Sequence, residues 1–154
     1  MTTIAWDGKT LAADRCSWSG GIRREVRKVF KINAKDRGPL LVAFSGTGAY
    51  CLRVLEWMKG EGERPNPSDW WDRDTICNAC AVAIDSDRRV WLLGNDLHWQ
   101  RMYEDKFANG AGHEIAWGAL EAGATAVRAI EIAMKRSDFA GLGVDSVEFD
   151  QPLA

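Results

Sequence analysis

Leu40-Leu41-Val42-Ala43-Phe44 is an apolar run with no polar interruption. Successive side chains of a strand point to opposite faces, so a strand wet on one side alternates apolar with polar. An unbroken run suits a strand covered on both faces. It ends at Ser45-Gly46-Thr47-Gly48, and there the period changes. Tyr50, Val54, Leu55 and Met58 fall near helical spacing, and Gly60 is a C-terminal stop for that helix.

Around this pivot the chain is read as segregated runs of strands and helices. "TTIAWD" and "TLAADR" flank Asp7-Gly8, a hairpin signal because glycine accepts the positive φ of such turns. A three-residue loop Trp6-Asp7-Gly8 would pair Thr2 with Ala12 and bring Asp14 to the face used by Thr2; a two-residue loop would turn Asp14 away. The longer loop is expected. "SWSGG" reads as a corner leading into "VRKVFKIN", where Val26, Lys28, Phe30 and Ile32 share a face. The Pro- and charge-rich segment "EGERPNPSDWWDRD" follows the helix, with Ser68 placed to cap a short helical turn. "TICNACAVAID" and "RVWLLGND" read as a second hairpin, and "RMYEDKFANGAG" as one further strand or edge segment ending in a Gly-rich turn. Two helices, "HEIAWGALEAGA" and "TAVRAIEIAMKRS", precede a last strand "VDSVEFD"; Thr125 is the expected N-cap of the second. Such segregation points to α+β rather than alternating βαβ.

Bulk properties narrow the function classes. A chain of 154 residues buries roughly two-thirds of its unfolded surface in one core without cross-links, so residues 1–154 are expected to form a single domain. Lys plus Arg number 20 against 22 Asp plus Glu, which lacks the basic excess of a nucleic-acid binder. No apolar stretch approaches the ~20 residues of a membrane-spanning helix, and no secretory signal pattern opens the chain. A soluble cytoplasmic protein is expected, without nucleic-acid or membrane partners. Cys16, Cys51, Cys77 and Cys80 are read as thiols, since "CNAC" has no second knuckle to complete a zinc site. No metal or cofactor is expected. Eight tryptophans fit either a large core or a subunit contact; Trp70 and Trp71 read as loop-packing or contact residues.

The chemistry-bearing feature is the start of the chain. If Met1 is removed, Thr2 supplies a hydroxyl nucleophile and, through its free α-amine with a reference pKa of ~7.7–8.0, a base. Lys28 can provide a fixed ammonium that lowers the cost of alkoxide character, and Asp14 can hold it; otherwise the two are a surface ion pair worth ~0–1 kcal/mol. Gly46, between buried strand and helix, leaves a backbone N–H for a developing oxyanion.

These segments together, "TTIA", "AADR", "VRKVFKI", "AFSGTGA" and a Gly-rich turn followed by two helices and a strand, resemble the proteasome β subunits and their bacterial relative HslV, threonine-type N-terminal-nucleophile hydrolases. The resemblance implies a four-layer αββα sandwich of two antiparallel sheets flanked by helices, assembled into a homo-oligomeric ring around a proteolytic chamber. It implies Thr2 as nucleophile, Asp14 and Lys28 as the charged pair, Gly46 as oxyanion donor and Asp138 as support for the amine. Val26, Phe30, Phe44 and Gly48 would line the pocket for an apolar substrate side chain. A polypeptide substrate, and an ATP-dependent unfoldase as partner, follow from the same likeness.

Two positions depart from the family pattern: Ala111 stands where a serine is usual in the Gly-rich turn, and Gly141 where another is common after the late aspartate. His113, at a helix start, reads as a surface or capping residue. Beside a threonine peptidase, two alternatives remain: a non-hydrolysing assembly or binding module of the same fold, and an N-terminal-nucleophile amidase acting on a small amide.

Overall fold

The computed structural model describes residues 2–150; removal of Met1 therefore concerns a residue outside those described. Strands β1 (Thr3–Trp6) and β2 (Leu11–Asp14) form the first hairpin, and β3 (Cys16–Ser19) and β4 (Ile22–Glu25) a second, separate one. Strands β5 (Val29–Ala34), β6 (Gly38–Phe44), β7 (Ala79–Asp85), β8 (Val90–Gly94) and β9 (Trp99–Met102) make an antiparallel five-stranded sheet in chain order. The other large sheet has the order β10-β1-β2-β11, completed by β10 (Phe107–Gly110) and β11 (Val144–Val147). The helices are α1 (Gly48–Lys59), α2 (His113–Glu121) and α3 (Ala126–Met134). None is long and apolar enough to cross a membrane.

The apolar run of β6 is covered on both faces, as its composition demands. Leu40, Val42 and Phe44 pack toward α1 with Tyr50, Val54 and Met58. Leu41 and Ala43 point the other way, into a cluster with Ile4, Trp6, Leu11, Ala13 and Val29 from the neighbouring sheet's hairpin and from β5. The far face of the β10-β1-β2-β11 sheet contributes Ala5, Ala12 and Ala108 to a third cluster, with Val144 of β11 packed beside them. Against them lie Ala116, Leu120, Ala126, Ala129, Ile130 and Ala133 of α2 and α3. Small residues on both partners let helix and sheet backbones approach closely, so the alanine-rich helical segment is spent on packing within the chain.

The helix ends follow their local chemistry. Gly60 closes α1 at φ 78°, its N–H bonded to the carbonyls of Glu56 and Trp57. The Thr125 hydroxyl accepts the Arg128 N–H at 3.2 Å and caps α3. In the loop after α1, the 3-10 turn Pro67–Asp69 is capped by Asn66, whose side chain accepts from the Ser68 N–H. The expected cap, Ser68, is thus inside the turn, because Asn66 precedes the φ-restricted Pro67 that starts it.

Several strand assignments differ from the sequence expectation: β5, for one, begins only at Val29, so Val26 and Lys28 precede it. "SWSGG" is the end of β3 and the Gly20-Gly21 turn of the β3–β4 hairpin, with Cys16 paired to Glu25 and Ser19 to Ile22, rather than a corner. "RMYEDKFANGAG" holds the end of one strand and the whole of another, β9 and β10, which belong to different sheets. The polar stretch between them carries the chain from sheet to sheet, a step that local periodicity does not record.

Trp70 and Trp71 pack on Tyr50, each with ring centroids 5.2 Å away. The buried Tyr50 hydroxyl donates to the Asn95 carbonyl at 2.6 Å, and burial pushes its pKa up from 10.0 to about 12. Between those values the folded chain keeps a proton that the unfolded chain has released, so stability falls as pH rises through that window. Denaturant titrations from about pH 9 to about pH 12, a range that brackets the ordinary tyrosine value, should show a smaller alkaline loss for Tyr50→Phe. That variant should also lose about 1–3 kcal/mol at neutral pH, because the Asn95 carbonyl is left without its donor.

Candidate active site

The first hairpin sets the geometry of the chain's beginning. Its register pairs Ile4 with Ala13, Ala5 with Ala12 and Trp6 with Leu11, leaving the four-residue loop Asp7–Thr10. The expected three-residue loop, with Thr2 opposite Ala12, is therefore replaced by a register three residues longer in sum. The cause is Asp7. One carboxylate oxygen accepts the N–H groups of Lys9 and Thr10, at 2.9 and 2.8 Å, while the other accepts Ala126 N–H at the start of α3 at 2.7 Å. A side chain engaged both with its own loop and with a distant helix end selects the wider turn, and Gly8 supplies φ 99° within it.

In this register Asp14 stands beside Thr3 rather than on the Thr2 face, and reaches the site through its carboxylate. Oδ1 accepts Thr3 N–H at 3.0 Å and Lys28 Nζ at 2.9 Å; Oδ2 accepts the N–H groups of Cys16 and Gly141, both at 3.1 Å. Lys28 also donates to the Cys16 carbonyl at 2.5 Å. The pair is no surface ion pair, because the Asp14 side chain is 0% exposed and that of Lys28 7%. Burial lowers the Lys28 pKa below its ordinary value, and the Asp14 charge restores part of the loss.

Thr2 lies 5% exposed at the edge of a cavity of about 230 Å³. Lys28, Gly46, Val26, Phe30, Phe44 and Gly48 line the same cavity. Seven sequence-selected positions thus meet around one space. Its wall is largely apolar: Phe30 and Phe44 meet edge to face at 6.1 Å, and the Arg27 guanidinium covers Phe30 at 5.1 Å from the ring centre. Gly46 adopts φ +97°, a conformation that side chains resist, and its N–H donates no hydrogen bond among the described residues.

The Gly-rich turn holds the start of the chain from the other side. Ala111 N–H donates to the Thr2 carbonyl at 2.8 Å, and Gly112 N–H to the Thr3 hydroxyl at 3.1 Å. A Cβ on Gly110 would sit 1.7 Å from the Thr2 carbonyl oxygen, and one on Gly112 2.6 Å from Thr3 Oγ1. His113 Nδ1 contacts the Gly110 carbonyl at 2.7 Å, bracing the turn at the helix start.

Asp138 is exposed, and among the described residues it neither lines this cavity nor makes a hydrogen bond or ion pair. Its loop contributes instead through the backbone of Gly141, which binds Asp14. A Cβ at Gly141 would fall 2.0 Å from Arg23 Nη2, so the place of a side chain there is taken by an arginine from β4. The backbone donors of Cys16 and Gly141 and the approach of Arg23 carry no side-chain signature in the sequence and were not among the residues selected from it.

With this geometry the chain matches solved structures along nearly its whole length. It superposes on BPH from Thiobacillus denitrificans with a TM-score of 0.64 at 17% identity, covering 98% of this chain and 99% of that one. A further structure of that protein is in complex with epoxomicin. Eukaryotic HslV from Trypanosoma brucei matches with a TM-score of 0.65 at 20% identity, over 96% of this chain and 98% of that one. A Gly-1 mutant of Anbu from Hyphomicrobium sp. strain MC1 gives 0.65 at 11% identity, over 96% and 81%. No protein-family model and no curated protein sequence matches the chain. The chain shares the fold of these HslV- and proteasome-like proteins.

Proposed function

We propose that this chain is a threonine peptidase of the proteasome and HslV type, acting through Thr2 once Met1 has been removed. The observation that carries the reading is the meeting of Thr2, Gly46 and Lys28 at one cavity, with Lys28 held from behind by the buried Asp14. In this reading the freed α-amine of Thr2 takes the hydroxyl proton as Oγ1 attacks a peptide carbonyl. The Lys28 ammonium stabilises the oxygen as it loses that proton, and Gly46 N–H receives the oxyanion. The leaving amine takes the proton, and water then hydrolyses the acyl ester. Apolar side chains of a polypeptide substrate would enter between Val26, Phe30 and Phe44, with Gly48 admitting them at the helix start. Asp138 would support the amine.

The likeness to HslV and BPH supports the finer architecture as well. The three packed clusters fit a four-layer αββα sandwich over residues 1–154, with α1 outside one sheet and α2 and α3 outside the other. It also supports assembly into a homo-oligomeric ring in the cytoplasm, fed by an ATP-dependent unfoldase. A non-hydrolysing module of the same fold is the second reading, favoured by the missing hydroxyls at Ala111 and Gly141.

The test has two stages. Intact mass of the purified cellular protein should show loss of Met1; retained Met1 blocks the amine and leaves the non-hydrolysing module. Epoxomicin, the compound held by BPH, should then add once per chain and fail to add to Thr2→Ala. Peptide hydrolysis by that variant should fall by on the order of 10³-fold or more. Unchanged hydrolysis in Thr2→Ala would overturn the reading.

A further inference from the structure

The cavity wall contains a group that the peptidase reading does not use. Cys51, in the first turn of α1, lines the cavity and is 9% exposed; Cys80, on β7, is fully buried behind it. Both are tied to Ser45. Cys51 Sγ donates to the Ser45 carbonyl at 3.3 Å, and Ser45 N–H donates to the Cys80 carbonyl at 2.9 Å. All four cysteines of the chain are free thiols.

We propose that Cys51 and Cys80 form a peroxide-reactive thiol pair, in which Cys51 meets a small hydroperoxide in the cavity and Cys80 converts the product to a disulfide. The division of labour follows from position. Cys51 faces the space through which an oxidant enters, and it sits at a helix N-terminus, where the macrodipole favours the thiolate. Its neighbour Cys80 pulls the Cys51 thiol below its ordinary pKa, while Cys51 and burial push that of Cys80 up. The thiol on the cavity wall therefore meets the oxidant first, and the one in the core follows.

The chemistry balances within the pair and one hydrogen peroxide. The Cys51 thiolate attacks a peroxide oxygen, so an S–O bond forms, the O–O bond breaks, and the departing hydroxide takes up the thiol's proton as water. Cys80 sulfur then attacks Cys51 sulfur; the S–S bond forms, the S–O bond breaks, and hydroxyl leaves with the Cys80 proton as a second water. Two thiols are oxidised by two electrons in total and the peroxide is reduced by two. The disulfide removes the S–H donor from the Ser45 carbonyl, one residue before the Gly46 N–H, so the turn beside the cavity feels the oxidation state. None of these steps requires Thr2 to be a nucleophile.

The experiment uses the full chain carrying Cys77→Ser, which removes the exposed competing thiol. With an equimolar amount of hydrogen peroxide, peptide mapping should find Cys51 joined to Cys80, with loss of both free thiols and full reversal by dithiothreitol. In Cys80→Ser the product should stop at a Cys51 sulfenic acid trapped by dimedone, and in Cys51→Ser the Cys80 thiol should stay reduced. The proposal is overturned if Cys51 remains reduced in the folded protein, or if it is oxidised without joining Cys80 when both are present. Should Cys51→Ser not fold, the mapping of the Cys77→Ser chain decides alone. Epoxomicin addition at Thr2 is read separately, so failure of either idea leaves the other standing.

Discussion

Gly110→Ala is expected to lower stability by about 3 kcal/mol or more, read as a shift in the denaturant midpoint. Gly110 has φ 94°, outside the regions open to side chains, and a Cβ there would lie 1.7 Å from the Thr2 carbonyl oxygen and 2.7 Å from its carbon. Both obstructing atoms are backbone, so no rotamer change relieves the overlap. The turn must withdraw, taking with it the Ala111 bond to Thr2 and the Gly112 bond to Thr3. Gly118→Ala is the control: this glycine lies inside α2 with nothing within 4 Å of the added atom, and the change should gain about 0.5–1 kcal/mol of helix propensity. Equal effects of the two substitutions would show that the Gly-rich turn does not clamp the chain's beginning.

Lys28→Met should be nearly as damaging, at about 3–5 kcal/mol, because it leaves the Asp14 carboxylate buried without a counter-charge. The three backbone donors to Asp14 persist in the variant, but they do not neutralise it. Adding Asp14→Asn to Lys28→Met should recover part of the loss, since the stranded charge is gone, and the double-mutant cycle should give a coupling of about 0.5–3 kcal/mol. The comparison is Lys59→Met. Lys59 meets Glu61 at 3.4 Å with side chains 39% and 61% exposed, a geometry worth about 0–1 kcal/mol. If both lysine substitutions cost the same, the Asp14–Lys28 pair is not the buried anchor of the site.

These two variants bear on the peptidase reading from different directions. Gly110 governs where Thr2 sits, and Lys28 sets the charge beside Asp14. A ring assembly could add further contacts, yet the clash at Gly110 and the charge at Asp14 arise inside one chain. Both effects therefore belong to the isolated fold.

Much of this arrangement was legible in the residues. Leu40–Phe44 announced a strand covered on both sides, and it packs against α1 on one face and the first hairpin on the other. Gly60 and Thr125 ended and began their helices because a left-handed C-cap and a hydroxyl N-cap are local devices, satisfied within a few residues. Thr2, Lys28, Gly46, Val26, Phe30, Phe44 and Gly48 were selected by residue chemistry and by resemblance, and they share a cavity. The cap of the 3-10 turn lies two positions before Ser68, since Asn66 offers the acceptor next to a proline.

The amino-acid order by itself determined the strand and helix periods, the glycines needed at sharp turns, and the residue types able to do acid–base and nucleophilic chemistry. Those are properties of short windows, set by side-chain direction and backbone sterics. Only the tertiary structure decided the hairpin register, because Asp7 reaches across to Ala126. It alone decided that Asp14 is held by amides from residues 3, 16 and 141, that Arg23 takes the space beside Gly141, and that Cys80 is buried behind the cavity wall that Cys51 lines. The reason is that backbone donors are identical at almost every residue, so which of them converge on a buried charge is settled by how distant segments pack.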